Sequence, residues 1–412
     1  MTLRSEYQVL PEAECQRARQ AEHLVNLAKT EPLADGGLRT SELLSEALAI
    51  DPHHHEAHVL LERLYQTFVP RWHFPMLADE IRNRAYAKAI AAKVRPGDVV
   101  LDIGCGAGLT AMLAARAGAK HVYTCEQQPL IAQAAVQVIE QNGLADRITV
   151  LPKMSHNLVV GLDLPERADV VISEIVDTVL LGEGALATLA HAMNKLAKPT
   201  ARAIPEQGTL KAQLVESSKL LKLWRPQKAE GFKLDAFHPF ANVAQITPND
   251  LLACPLRPLG PAKNLFRFDF TQPDLIAQQT TKPLNCSVKG TVHAVLVFFE
   301  MDLSHGISVS NGFNSGGHWG RTAFLTHHSM SAMPGDFLSV TAKHDTSRLS
   351  LVADSALAFT DDVNRAPKWI ERTSDSVGSY KDLNSTRFNP IPRTTSYIDA
   401  KSNSADVEEL AT

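Results

Sequence analysis

Val99-Val-Leu-Asp-Ile-Gly-Cys-Gly-Ala-Gly108 is an apolar run of strand character that breaks into glycine at every second position and meets a helical pattern from Leu109. Glycine has no Cβ, so Gly104, Gly106 and Gly108 let the main chain turn sharply and pass close to a ligand. The third glycine follows the second by two residues, so the run departs from the dinucleotide pattern G-x-G-x-x-G. About twenty residues on, Glu126 ends a second strand-like run, where a carboxylate is suited to accept hydrogen bonds from both hydroxyls of a ribose. Strand, turn, helix and distant acid together favour a nucleoside-bearing ligand over a ligand-free α/β turn.

Outward from this stretch, strand-like runs (Val99–Ile103, His121–Cys125, Ile148–Leu151, Asp169–Ile172) alternate with helical patterns (Leu109–Ala117, Leu130–Asn142, Gly184–Leu196). That alternation predicts an α/β domain with a doubly wound, Rossmann-like parallel sheet over residues 71–205. In front of it, residues 1–70 carry helical periodicity at Glu14–Lys29, Ser41–Ile50 and Glu56–Phe68, with Ser or Thr available to cap the second helix. Behind it, Thr209–Val215, Thr291–Phe299 and Thr322–Leu325 read as strands broken by Pro and Gly, which predicts a β-barrel-like domain over 206–358. Residues 217–261, rich in Pro, Lys and aromatics, are expected to leave that sheet as an arm. The polar tail, 359–412, is expected to be disordered.

The formal charge of −4 lacks the basic excess that drives binding to nucleic acid, so no direct nucleic-acid partner is expected. No run of eighteen apolar residues or signal-peptide core occurs, so neither a membrane span nor secretion is expected. The five cysteines, Cys15, Cys105, Cys125, Cys254 and Cys286, form no CxxC pair and read as reduced thiols of a cytoplasmic protein, nuclear as well if the source is eukaryotic. His53-His54-His55 with His58 lacks the Cys or carboxylate that would complete a tetrahedral set, so no metal site is expected.

A second constellation bears on chemistry. Ser173-Glu-Ile-Val-Asp-Thr-Val-Leu-Leu-Gly-Glu-Gly184 places Glu174 and Glu183 on either side of a loop. A guanidinium is planar, always cationic and offers five forked donors, so two carboxylates can hold it and direct one nitrogen outward. The glycine spacing at Gly104–Gly108, with Asp102 before it, resembles the first motif of class I methyltransferases. The loop with Glu174 and Glu183 resembles the double-glutamate loop of the protein arginine methyltransferase family. Met76-Leu-Ala-Asp-Glu-Ile-Arg82 resembles that family's cofactor-lid helix, and Gly317-His318-Trp319 resembles its Thr-His-Trp loop with Gly in place of Thr. The resemblance spans about Arg71 to Asp354, some two thirds of the chain, and Asp-Pro at residues 51–52 resembles a tetratricopeptide junction in front of it.

The resemblance implies S-adenosylmethionine as cofactor, held by Arg82, Asp102, Gly104, Gly106, Gly108 and Glu126. Ser155 and His156 stand where the family has an adenine-contacting glutamate. It implies Glu174, Glu183, His318 and Asp79 as catalytic residues, with Asp79 pairing with His318. Met76, Asp177 and Trp319 are assigned to the substrate side, Asp177 as a further negative charge between the glutamates. Arginine-containing proteins would be the substrates, and the arm would support a homodimer, since relatives in the tetratricopeptide-bearing branch carry two methyltransferase halves in tandem. The expected function is therefore transfer of a methyl group to a guanidino nitrogen of protein arginine. Two alternatives stand beside it: a class I methyltransferase with another substrate, and a cofactor-binding scaffold without turnover.

Overall fold

The computed structural model describes residues 12–313 and 315–359, so the expectation for the polar tail, from Thr360 on, lies outside the described residues. Three helices come first: α1 (Glu12–Thr30), α2 (Leu38–Ile50) and α3 (His55–Phe68). They bury Val25, Leu43, Leu44 and Ala57 against one another. No Ser or Thr caps α2: it starts after Gly37, whose φ of +82° is left-handed, and the Asp35 carboxylate accepts the N–H groups of Gly37 (2.9 Å) and Arg39 (2.8 Å). Thr40 and Ser41 are instead buried within the first turns. His54 and His58 have local partners. His54 Nδ1 accepts from Ala57 N at 3.3 Å and caps α3, and His58 Nε2 lies 2.9 Å from the Pro52 carbonyl.

After α4 (His73–Leu77) and α5 (Glu80–Lys93) comes an α/β unit with strands β1 (Val99–Ile103), β2 (His121–Cys125), β3 (Ile148–Leu151), β4 (Ala168–Ser173) and β5 (Ala197–Ile204). They form one sheet in the order β3-β2-β1-β4-β5, every pairing parallel. Helices α6 (Leu109–Arg116), α7 (Pro129–Gln141) and α8 (Ala185–His191) make the crossovers, and α8 continues as a wide π turn over Ala192–Leu196. The register decides where chemistry can occur. Ile103 lies opposite Cys125 on one side and Ser173 on the other, so the chain after β1, β2 and β4 emerges at one carboxyl edge, the edge where open α/β sheets bind ligands.

The remaining strands are β6 (Gln207–Glu216), β7 (Lys228–Ala229), β8 (Phe232–Lys233), β9 (Val243–Ile246), β10 (Arg257–Pro258), β11 (Lys263–Asp269), β12 (Gln278–Asn285), β13 (Gly290–Ser304), β14 (Ile307–Ser310), β15 (Arg321–Ala332), β16 (Asp336–His344), β17 (Leu349–Ala353) and β18 (Ala358–Phe359). A sheet running β10-β6-β13-β15-β9, with β11 and β14 alongside, packs with a smaller sheet of β12, β16, β17 and β18. Phe299, Phe270 and Leu338 share one continuous core with Tyr86, Ile90 and Ile172 of the α/β unit, so the two units are packed together. The arm is not wholly outside the sheet. Its β9 pairs antiparallel with β15, and its β10 with β6, because Ala244 and Ile246 alternate inward and bury against Ala323 and Leu325. Helices α9 (Ser218–Trp224) and α10 (Pro248–Ala253) complete the arm.

Candidate active site

The turn after β1 is fixed by the strand beside it: the N–H groups of Gly104 and Cys105 donate to the Cys125 carbonyl at 3.1 and 3.0 Å. A Cβ on Gly104 would stand 2.7 Å from Ile175 Cγ2, so glycine here lets the loop after β4 lie against the turn. Glu126 is buried and held at both oxygens, Oε2 by Gly106 N (3.2 Å) and Oε1 by Gln128 N (2.9 Å). Asp102 is buried in β1 and accepts from Thr124 Oγ1 at 2.7 Å; burial pushes its carboxyl up to about 6 against that hydrogen bond. Ser155 is buried after β3, whereas His156 is exposed and its ring stacks 4.8 Å from that of His191.

Glu174 follows β4 directly, its side chain only 6% exposed, and forms an ion pair with the Arg82 guanidinium of α5. Burial drives its carboxyl up to about 7; the Arg82 charge opposes this, while Glu183 and Asp79 add to it. Those two acids therefore lie close enough to Glu174 for their charges to be felt. Glu183 is an exposed residue in the left-handed region, φ +56°, and the neighbouring Leu180 has φ +65°. A non-glycine residue held there costs on the order of 1 kcal/mol and persists only where its surroundings fix it. Asp177 supplies part of that fixing: its Oδ1 accepts the N–H groups of Val179 (3.0 Å) and Leu181 (3.1 Å). The carboxylate assigned to substrate is thus turned onto its own loop.

Asp79 serves two segments. Its Oδ1 caps α5 by accepting Arg82 N at 3.0 Å, and its Oδ2 accepts both His318 N (2.8 Å) and His318 Nδ1 (2.9 Å). Burial alone would raise the Asp79 carboxyl, but the hydrogen bonds from Arg82 and His318 hold it below the usual range. Burial lowers His318, outweighing Asp79, which leaves a neutral imidazole at neutral pH with Nδ1–H directed at the carboxylate. A Cβ on Gly317 would lie 2.8 Å from Asp79 Oδ2, so the glycine in place of the expected threonine leaves room for this pairing. Trp319 is buried edge-on to Phe299, ring centroids 5.2 Å apart, and Met76 is buried with its Cε about 4.0 Å from where a Gly106 side chain would begin.

This arrangement has counterparts among known proteins. Residues 86–221 match the family described as Ribosomal protein L11 methyltransferase (PrmA). The chain is 41% identical over 252 residues to an arginine N(omega)-methyltransferase of Streptomyces achromogenes subsp. streptozoticus, covering 61% of this chain and 70% of that one. It is 30% identical over 361 residues to protein arginine N-methyltransferase 7 of Xenopus laevis, covering 79% of this chain and 51% of the relative. A Trypanosoma brucei PRMT1 enzyme-prozyme complex with AdoHcy shares the fold, with a TM-score of 0.59 at 20% identity over 70% of this chain and 92% of that one. The chain belongs to the protein arginine methyltransferase family. It spans about half the length of the Xenopus relative.

Members of the family use S-adenosylmethionine, and the residues here fit such a ligand. Arg82 Nε is a buried donor without a hydrogen-bond partner, suited to a carboxylate at the carboxyl edge of the sheet. A side chain at Gly106 would meet nothing closer than 3.9 Å, which leaves space above the turn. Arg82, Gly104, Gly106 and Glu126 would hold the cofactor, with Asp102 beneath. The structure also brings in residues that the sequence did not mark. Tyr86 donates its hydroxyl to the Ser173 carbonyl at 3.0 Å, directly before Glu174, and its ring lies 5.3 Å from the Arg82 guanidinium carbon. Asn311 hydrogen-bonds to Thr178 in the double-glutamate loop. Nothing in the sequence set Tyr86 apart, and Asn311, within Ser310-Asn-Gly312, reads only as turn chemistry.

Proposed function

We propose that this protein methylates a guanidino nitrogen of arginine within proteins, using S-adenosylmethionine. The observation that carries the reading is the buried Glu174 carboxylate already paired with a guanidinium, that of Arg82. A carboxylate placed to hold one guanidinium in a water-poor site suits a second, and Glu183 adds a further negative charge nearby. When bound, S-adenosylmethionine supplies an electrophilic methyl group. Glu174 and Glu183 orient the substrate guanidinium and draw its positive charge toward themselves, so that one nitrogen keeps a lone pair for attack. His318, neutral and oriented by Asp79, would take up the released proton.

The test is incubation of the purified protein with S-adenosylmethionine and an arginine-rich protein, followed by hydrolysis and mass spectrometry of the methylarginines. Free L-arginine is assayed in parallel, because the name of the relative from Streptomyces specifies arginine without specifying protein. Methylation of free arginine alone would move the substrate from proteins to the amino acid. No methylarginine from either, with cofactor bound, would leave another substrate or a scaffold without turnover.

The homodimer belongs to the same proposal. Phe232, Phe237, Phe240 and Leu252 are exposed on the arm, Phe240 at 81% and Leu252 at 85%, an apolar display that a second copy would cover. The helical extension is proposed as a tetratricopeptide-like docking unit. The five cysteines, read as reduced thiols, fit a reducing cytoplasmic setting.

A further inference from the structure

Asn311 is fully buried and joins three segments, one of them distant in sequence. Its Oδ1 accepts the main-chain N–H of Phe299 in β13 at 2.7 Å. Its Nδ2 donates to the carbonyl of Thr178 at 3.0 Å and to that of Gly320 at 2.8 Å. Thr178 lies between Glu174 and Glu183, and Gly320 stands two residues beyond His318. Side chains run parallel to the amide link. Thr178 Oγ1 is 2.8 Å from Thr322 Oγ1, which donates to Gln245 Oε1 at 3.2 Å. Arg321, also buried, donates to the carbonyls of Gly312 and Ser315, both at 2.8 Å, and so holds the residues leading to His318.

We propose that Asn311 is a positioning residue that sets the distance between the two glutamates and His318. This rests on the arginine-methyltransfer reading of the site. A primary amide offers two donors and an acceptor in one plane, so a single side chain can hold two carbonyls and an N–H in fixed relation. Nothing else of that size does so without charge. Removing it takes this partner from a buried N–H and from two part-buried carbonyls, and the two loops lose their common reference. Asn311 touches neither acid and not His318, so its effect passes through the loops. Catalysis by orientation is sensitive to such a shift, since a misplacement of about 1 Å costs about 100-fold.

The experiment compares wild type with Asn311→Ala and with Thr322→Val, which removes the hydroxyl contacts to Thr178 and Gln245 beside it. Three quantities are measured on folded protein: kcat on an arginine-rich protein, the dissociation constant for S-adenosylmethionine, and hydrogen–deuterium exchange of residues 175–183 and 316–321. The expected result for Asn311→Ala is a loss in kcat of about 10- to 100-fold with cofactor affinity within about threefold, and faster exchange in both loops together. Thr322→Val should move the same quantities in the same direction by less, and it decides the matter if Asn311→Ala does not fold. Unchanged kcat beside an active wild type, or loosening of one loop alone, overturns the proposal. If wild type turns over no arginine substrate, the arginine reading fails by itself, and the exchange data still decide whether Asn311 ties the loops.

Discussion

At the scale of single residues, Glu174 concentrates the chemistry. Glu174→Gln keeps the shape and removes the charge, so methyl transfer should fall by at least about 1,000-fold while the cofactor dissociation constant changes little. Stopped-flow or filter assays beside calorimetry would check this, and retained turnover would remove Glu174 from the reaction. The pH dependence has a definite sign. Burial raises the Glu174 carboxyl to about 7, so below that pH it is neutral and holds no cation, and above it the carboxylate is present. The value of kcat/KM for the arginine substrate should therefore rise between about pH 6 and 8, and a profile flat across that range would contradict the assignment. The pairing of Asp79 with His318 was legible only through the family resemblance, and the structure brings the two together. The contact of Arg82 with Glu174 was not legible, because it joins a helix and a loop that the sequence separates by 92 positions. Nor was the inward turn of Asp177, since an acid between two acids reads as charge rather than as a loop clasp.

Among the elements, α5 links cofactor side and substrate side, and Asp79 is the hinge point of that link. Asp79→Ala removes the helix cap, worth about 1 kcal/mol, and strands the buried N–H groups of His318, worth about 1–3 kcal/mol. Urea unfolding near neutral pH should show a loss of about 2–4 kcal/mol with an unchanged m-value; a loss below about 1 kcal/mol would mean that the cap is redundant. Because the folded state holds Asp79 below its ordinary value, its contribution is present at neutral pH and lost as pH falls through the acid range below about 4. The strands of the parallel sheet were legible because both faces are covered and their apolar runs are continuous, as in β1, buried at all five positions. Strand β9 was not, since four residues of alternating burial inside a stretch rich in Pro and charge carry too little pattern to separate strand from loop. The start of α2 was misplaced because a left-handed glycine with an aspartate before it did the capping in place of the available hydroxyls.

For the whole molecule, the exposed apolar side chains of the arm bear on assembly. Phe240→Glu places a charge in the exposed apolar display of the arm; sedimentation should then show a monomer where wild type is a dimer, with thermal stability of the monomer unchanged. A wild type that is itself monomeric at about 10 times the assay concentration would end the dimer proposal. The division into helical front, α/β middle and β rear was legible from changes in periodicity. The shared core that joins middle and rear was not, because it depends on strands more than a hundred residues apart. Arg82 and Glu174 leave water together when the chain folds, their side chains 5% and 6% exposed. Drying an isolated carboxylate costs several kcal/mol, whereas drying it with a guanidinium beside it costs much less. The folded chain therefore keeps the Glu174 carboxylate in the company of a guanidinium, so that drying this acid is offset within the fold itself.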